Sequence, residues 1–183
     1  MANKKNIVRR IKSAVISVSD KSNLKPLLQT LNRYNVKLIS SGGTFKAIRK
    51  LGYRCLEVSD YTGFNEILDG RVKTLHPKIH AGILNKRNNN THKREIKKNN
   101  FQNIDLVIVN FYPFEKTLNT TKNHNKIIEK IDIGGPALVR SAAKNYNDVA
   151  VITSTNQYSA LIDQLKRFKG CLLYTSPSPR DRS

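Results

Sequence analysis

The chain has 183 residues, which is enough for one domain with a hydrophobic core and short for two. Its formal net charge of +20 is typical of proteins that bind nucleic acids or small anions, and also of a surface rich in solvated lysine. No apolar run approaches the ~20 residues of a membrane span, the basic start lacks the apolar segment of a signal peptide, and two cysteines are too few for a disulfide framework. We therefore predict a cytoplasmic protein with one domain.

Short apolar runs alternate with segments of helical periodicity along the chain. The runs are apolar on both faces, which favours a parallel sheet covered by helices on both sides. We predict an α/β fold with three layers. In chain order, the predicted strands are residues 13–19, 36–41, 54–59, 104–114 and 148–154, and the predicted helices are residues 23–34, 44–52, 65–70, 91–98, 125–145 and 156–170.

Parallel sheets of this kind bind ligands where their strands end. The stretch "LISSGGT" ends a strand, turns at two glycines and opens a helix, so Ser41, Gly43 and Thr44 would offer N–H groups and hydroxyls to a phosphate. A plain α/β turn has the same pattern. Ser17 and Lys21, at the end of the first strand, are a second candidate for phosphate contacts.

The stretch "DGRVKTLHPKIHAGIL" is cationic and yet interspersed with apolar residues, and its glycines and proline argue against a simple helix. Arg71, Lys73 and Thr74 would supply further donors to a phosphorylated ligand, while the apolar residues anchor the segment. His76 and His80 have a metal-ligand spacing, but the proline after His76 is expected to interrupt the helix, and no other ligands accompany them. We predict no metal site.

The stretch "IDIGG" places Asp132 between two isoleucines, just before Gly134 and Gly135. A carboxylate in this position is either partly desolvated and tuned for proton transfer or the N-cap of the helix that follows. Lys144 ends the same helix. Tyr112 lies at the end of the predicted strand at residues 104–114, where it is either a site hydroxyl or a half-buried packing residue.

These stretches, together with "SVSDK" and "NFYPF", resemble in order and spacing the IMP cyclohydrolase domain of the bifunctional enzyme AICAR transformylase/IMP cyclohydrolase. That domain has the methylglyoxal-synthase-like fold. The resemblance implies dehydrative ring closure of 5-formamidoimidazole-4-carboxamide ribonucleotide (FAICAR) to IMP, without a metal or an organic cofactor. By position, it implies a catalytic group of Lys73, Tyr112, Asp132 and Lys144, and substrate or phosphate contacts by Ser17, Lys21, Ser41, Gly43, Thr44, Arg71, Thr74, Gly134 and Gly135.

The resemblance covers residues 13–170, which we expect to be the domain. Residues 1–12 would be a basic extension, and residues 171–183, with the linker composition of "SPSPRDRS", a disordered tail that is not native to the fold. The family enzyme continues into a transformylase domain, so we expect this chain to be an N-terminal fragment without that activity. A straight helix between the two ends of the "GGPALVRSAAK" stretch would hold Asp132 and Lys144 about 15 Å apart. They could share a substrate only if the helix starts late or bends, or if the long lysine side chain reaches back.

Three other functions remain open from sequence. A methylglyoxal synthase or a non-catalytic regulatory domain of the same fold would share the phosphate-binding turn. A basic nucleic-acid-binding module would explain the charge, but few aromatic residues interleave the basic stretches. The partners we expect are FAICAR and IMP, with no specific nucleic acid and no membrane, and the resemblance leaves a homodimer open.

Overall fold

A computed structural model describes residues 7–111 and 114–174 of the chain. Short strands alternate with helices through most of this range, as the sequence predicts. The strands are β1 (Ile7–Arg10), β2 (Ser13–Val18), β3 (Lys37–Ser40), β4 (Leu56–Glu57), β5 (Leu106–Asn110), β6 (Ala150–Ile152) and β7 (Cys171–Tyr174). The helices are α1 (Leu24–Arg33), α2 (Gly42–Lys50), α3 (Val58–Thr62), α4 (Pro77–Leu84), α5 (Asn90–Lys98), α6 (Phe114–Thr120), α7 (His124–Ile128), α8 (Gly134–Lys144) and α9 (Tyr158–Arg167), with a 3₁₀ turn at Thr155–Gln157.

Strands β2 to β6 form one sheet in the order β4-β3-β2-β5-β6, and all neighbouring strands in it are parallel. The predicted three-layer α/β architecture is therefore confirmed. Parallel neighbours are joined by crossover connections, so the carboxyl ends of these strands lie at the same edge of the sheet. That edge receives Ser17, Ser41 and Asn110, which lie in or directly after the ends of β2, β3 and β5.

Side chains of the central strands β2 and β5 alternate between two hydrophobic cores. Ile16 and Ile108 belong to the core formed with α1 and α9, whereas Val15 and Val107 belong to the core formed with α4 and α8. Strands that are apolar on both faces are stable only when both faces are covered, so these two cores account for the three layers.

Helix α4 is more regular than the sequence suggests. Pro77 is its first residue, where the missing N–H costs nothing, and His76 caps it because its Nδ1 accepts a 3.1 Å hydrogen bond from the N–H of Lys78. The prediction that the proline interrupts a helix is therefore wrong.

Two further predicted helices differ from the structure. Residues 65–70 form a turn closed by an antiparallel bridge between Ile67 and Val72, and the three residues after Ile67 have positive φ, which a helix does not allow. The predicted helix at residues 125–145 is two helices, because Gly134 begins α8 instead of interrupting a longer one.

The two ends of the described chain pair with each other. Strands β1 and β7 form a separate antiparallel sheet in which Arg10 lies opposite Cys171, and Leu172 is buried in the core beneath α9. The expectation that residues 1–12 are an extension and that the tail is disordered from Cys171 onward is therefore wrong for these strands. Neither strand has a local sequence signal for a partner so distant along the chain. Residues 175–183 lie outside the described residues.

Ending the chain after Gly170 is expected to destabilise the domain, because β1 loses its partner and the core loses Leu172. Loss of a buried leucine side chain costs about 2–5 kcal/mol, and each kcal/mol lowers the melting temperature by about 2–4 °C in a domain of this size. We expect calorimetry to show a decrease of roughly 5–15 °C in melting temperature.

The matched control ends after Tyr174 and keeps both strands. It should have the same melting temperature as the full chain, because the composition of residues 175–183 predicts neither a helix nor a strand. Equal melting temperatures for all three chains would show that the pairing of β1 with β7 contributes nothing to stability.

Within the described residues, the helices are all too short or too polar to cross a lipid bilayer.

Candidate active site

A cleft of about 730 Å³ opens at the carboxyl edge of the sheet. The ends of β2, β3 and β5 form its floor, and the N-termini of α2 and α8 and the segment before α4 form its walls. Every predicted site residue lines this cleft except Lys144 and Tyr112, and Tyr112 lies outside the described residues. The lining residues are Ser17, Val18, Ser19, Lys21, Ser41, Gly42, Gly43, Thr44, Asp69, Gly70, Arg71, Lys73, Thr74, Leu75, Asn110, Ile128, Glu129, Lys130, Ile131, Asp132, Ile133, Gly134 and Gly135.

Helix α2 presents its N-terminus to the cleft. Ser41 is extended, and Gly42 then turns the chain into the helix with a φ of +53°, a left-handed conformation that glycine adopts without strain. The first N–H groups of a helix have no acceptor within it, so this end attracts anions. The Thr44 hydroxyl donates to the carbonyl of Val18 and accepts from its N–H, both at 3.0 Å, so the side chain ties α2 to β2. The hydroxyl proton of Thr44 is thus used within the fold, so the phosphate contact predicted at Thr44 would have to come from its backbone N–H.

The turn from β2 to α1 carries Lys21 at the rim of the cleft. Its Nζ donates to the carbonyl of Ser19 at 3.2 Å. Asn110, the last residue of β5, holds this turn, because its Oδ1 accepts from the N–H groups of Ser19 at 2.7 Å and Asp20 at 2.9 Å. Sequence reasoning missed Asn110, although a single polar residue that ends an apolar strand is a recognisable signal.

The two cations of the segment before α4 each lie near a carboxylate. Lys73 Nζ is 3.5 Å from Glu66 Oε2, and Arg71 Nη2 is 3.6 Å from Glu129 Oε1. Arg71 and Glu129 are 62% and 59% exposed, so their pair contributes little to stability and an anion in the cleft competes for the arginine. Gly70 has a φ of +81°, and a Cβ there would lie 3.0 Å from Lys73 Nζ. The absence of a side chain at Gly70 therefore leaves room for the Lys73 ammonium group.

The start of α8 brings Asp132 and Thr74 close to the backbone. Asp132 Oδ1 accepts a 2.9 Å hydrogen bond from the N–H of Gly135, and a Cβ at Gly135 would collide with the same carboxylate. A Cβ at Gly134 would meet Thr74 Oγ1 at 2.5 Å. Asp132 is thus a cap of the helix start and, at the same time, an acid that lines the cleft.

Of the two roles that the sequence leaves open for Asp132, the structure shows the helix cap and not the desolvation. Its neighbours Ile131 and Ile133 are 50% and 56% exposed, and Asp132 is exposed with them, because this loop runs along the surface before α8 begins. Lys144 is also exposed, in the last turn of α8. At 1.5 Å per residue it lies about 15 Å along the helix from Gly134, so the structure does not bring Lys144 together with Asp132.

The two histidines of the cationic segment have separate roles. His76 caps α4, whereas His80 lies between α4 and α8, where its Nδ1 shares a 2.9 Å hydrogen bond with Ser141 Oγ. Burial lowers the pKa of His80, which keeps the ring neutral at pH 7. Across residues 7–111 and 114–174, His, Cys, Asp and Glu side chains nowhere gather in a group of three that could hold a metal ion.

A second cavity, of about 600 Å³, lies at the amino edge of the sheet. It is basic, but two of its arginines are engaged within the fold. Arg9 Nη2 lies 2.7 Å from Asp148 Oδ1, and Arg87 Nη2 lies 3.6 Å from Asp105 Oδ1. None of the predicted site residues lines this cavity.

Residues 23–137 match the family model of the MGS-like domain. The chain is 49% identical over 166 residues to the bifunctional purine biosynthesis protein PurH of Acetivibrio thermocellus, covering 90% of this chain and 32% of the relative. It is 50% identical over 155 residues to PurH of Prochlorococcus marinus, covering 84% and 30%. The chain therefore spans about a third of the length of the curated relatives it matches.

A solved structure has the same fold. The crystal structure of ForH superimposes with a TM-score of 0.76 and 32% sequence identity, covering 87% of this chain and 82% of that one.

Proposed function

Since this chain belongs to the MGS-like domain family and resembles purine biosynthesis proteins, we propose that it is an IMP cyclohydrolase. The reaction closes the ring of FAICAR, with loss of water, to give IMP. The observation that carries this proposal is the cleft at the carboxyl edge, which the N-terminus of α2 lines together with the cations Lys21, Arg71 and Lys73 and the carboxylate of Asp132. This chain spans about a third of its relatives' length, and we assign only the ring closure to it. By the resemblance, the formyl transfer belongs to a separate domain.

The proposed phosphate site is the end of the cleft formed by α2 and the β2–α1 turn. Backbone N–H groups from Gly42 to Thr44 would donate to the phosphate, and Lys21 and Arg71 would neutralise its charge. Arg71 would leave its exposed partner Glu129, which costs little because that pair is well solvated. The backbone of Val18 and of Ser41, which directly follows β3, would lie beneath the ribose.

The proposed chemistry takes place between Lys73 and Asp132. The carboxamide nitrogen of FAICAR attacks the formyl carbon, and Asp132 takes the proton that this nitrogen loses. The formyl oxygen gains negative charge as the C–N bond forms, and the Lys73 ammonium stabilises it. This oxygen takes one proton from the Lys73 ammonium and a second from Asp132, and it leaves as water while the former formamido nitrogen forms the C=N bond and returns its own proton to Lys73. We assign no step to Lys144, because α8 holds it away from Asp132, and Tyr112 remains a proposed second donor to the formyl oxygen.

Purified protein is expected to convert FAICAR to IMP without folate and without added metal, and EDTA should leave the rate unchanged. Formation of IMP, followed by chromatography, tests this directly. A folded protein that binds IMP but does not cyclise FAICAR would mean that the activity needs more than this chain. A folded protein that does neither would disprove the proposal.

The alternative function, that of a methylglyoxal-synthase-like or regulatory domain, is compatible with the same phosphate site. It predicts turnover of dihydroxyacetone phosphate, or phosphate binding without any turnover, whereas the cyclohydrolase should release no methylglyoxal. A cytoplasmic location and a homodimeric state are further proposals that follow from the resemblance, and sedimentation velocity tests the second.

Replacing Lys21 with Ala is expected to weaken IMP binding about ten- to a hundredfold, because a hydrogen bond from a charged donor is lost. Calorimetry measures the affinity. Lys25→Ala is the matched control, since Lys25 is an exposed cation nearby on α1 that does not line the cleft. Equal affinities of the Lys21 and Lys25 variants would remove Lys21 from the phosphate site.

A further inference from the structure

The turn between Ile67 and Val72 brings a carboxylate to Lys73. Ile67 and Val72 face each other in an antiparallel bridge, in which each N–H donates to the carbonyl of the other residue, at 3.1 and 3.3 Å. In such a pairing the next residues outward, Glu66 and Lys73, are also opposite each other. Their side chains meet, since Glu66 Oε2 lies 3.5 Å from Lys73 Nζ. The backbone of the turn therefore determines which carboxylate the lysine contacts.

The same turn has a rare backbone conformation. Leu68 and Asp69 have φ values of +54° and +53°, and Gly70 continues with +81°. The left-handed region is unfavourable for residues with a Cβ, and two of them in succession are strained. Strain of this kind persists where the surrounding structure requires it. Here it belongs to the bridge that sets Glu66 opposite Lys73.

The Lys73 ammonium occupies a niche between two glycines. A Cβ at Gly42 would lie 3.7 Å from Nζ, and a Cβ at Gly70 would lie 3.0 Å from Nζ and 3.4 Å from Glu66 Oε2. Lys73 and both glycines line the cleft, whereas Glu66 is not among the lining residues. Glu66 thus contacts the lysine without being part of the surface that a ligand would touch.

We propose that Glu66 is a positioning residue, which holds the Lys73 ammonium in this niche and thereby places it for the negative charge that develops on the substrate. The substrate half of this inference rests on the proposed function. A half-exposed ion pair adds little to stability, but it confines a long, flexible side chain to one position before the substrate binds. A charged group that is already in place stabilises a developing charge without reorganising during the reaction.

Glu66→Ala tests the inference, because it removes the carboxylate and leaves the backbone bridge intact. We expect the turnover of FAICAR to fall about ten- to a hundredfold, the effect of a misplaced catalytic group, and the affinity for IMP to stay within about twofold of the wild type. Since Glu66 is 58% exposed, the melting temperature should fall by no more than about 4 °C. Asp60→Ala is the matched control, because it truncates another exposed carboxylate, on α3, that does not line the cleft. It should change none of these readouts.

Chemical labelling of Lys73 measures its confinement without any substrate. When ligand-free protein is treated with a trace of acetic anhydride, mass spectrometry should show that Lys73 is acetylated about two- to fivefold faster in Glu66→Ala, because the lysine no longer has to leave a carboxylate. Lys25, which is exposed on α1, is the reference in the same sample and should react at an unchanged rate.

Equal labelling of Lys73 in Glu66→Ala and in the wild type would overturn the inference, whatever the activity. Unchanged turnover, or a loss of turnover that IMP affinity matches or that Asp60→Ala reproduces, would overturn it too, because the position of Lys73 would then not be the cause. If the wild type does not cyclise FAICAR, the proposed function fails and the substrate half fails with it. Faster labelling of Lys73 would still support the structural half.

Discussion

Asp132→Asn is expected to lower the turnover of FAICAR about 10²–10⁴-fold, the usual effect of losing a general base. The affinity for IMP should stay close to that of the wild type, because Asn keeps an oxygen that accepts the hydrogen bond of the Gly135 N–H. The start of α8 is therefore preserved while the group that takes the proton is lost. Steady-state kinetics and calorimetry on the same preparation measure the two quantities.

Asp132→Ala is the companion variant, since it removes both the base and the cap. It should lose turnover to a similar extent and, in addition, about 0.5–2 kcal/mol of stability from the missing cap. Wild-type turnover in Asp132→Asn would show that this carboxylate only caps α8, and the base would then have to be another group in the cleft.

Gly82→Val is expected to give the largest loss of stability, about 3 kcal/mol or more, because it overpacks a contact between backbones. A Cβ at Gly82 would lie 2.6 Å from the carbonyl oxygen of Gln102 and 3.1 Å from Ile104 Cδ1. The carbonyl of Gly82 also accepts a 2.9 Å hydrogen bond from the N–H of Ile104, so helix α4 cannot move away without losing it. Chemical denaturation measures the free energy of unfolding.

Two alanine variants calibrate this result. Gly82→Ala should lose about 1–3 kcal/mol, less than the valine. Gly43→Ala is the control, because a Cβ at Gly43, which is also a helical glycine, would meet no atom within 4 Å. If the free energy of unfolding of Gly82→Ala equals that of Gly43→Ala, then α4 and the segment before β5 adjust to the added methyl group and the packing is looser than these distances indicate.

The central fold could be predicted from sequence because its signals are local. Apolar runs and helical periodicity identified β2, β3, β5 and the helices between them, and the double-sided apolar pattern required a covered parallel sheet. Part of the cleft followed from topology, since Ser17 and Ser41 lie at strand ends at one edge of the sheet. Arg71 and Asp132 join them from the segments before α4 and α8.

The errors arose where structure depends on distant or positional effects. Pro77 looked like a helix breaker, although at the first position of a helix it is favourable. The pairing of β1 with β7 has no local signal, because each strand is short and its partner is at the far end of the chain. The sequence left open whether Asp132 is desolvated, because this depends on how the loop around it packs, which apolar neighbours in sequence do not determine.

The pairing of β1 with β7 also imposes an order on biosynthesis. Arg10 and Cys171 are partners, and at about 5–20 residues per second the ribosome adds the second roughly 8–30 s after the first. Through this interval β1 has no partner, and by its end all the strands of the parallel sheet, β2 to β6, have been synthesised. An unpaired strand invites pairing with a foreign strand, and the charges of Arg9 and Arg10 counter that risk. Translation stalled between residues 152 and 171 is therefore expected to leave a chain that has every strand of the parallel sheet but lacks the partner of β1.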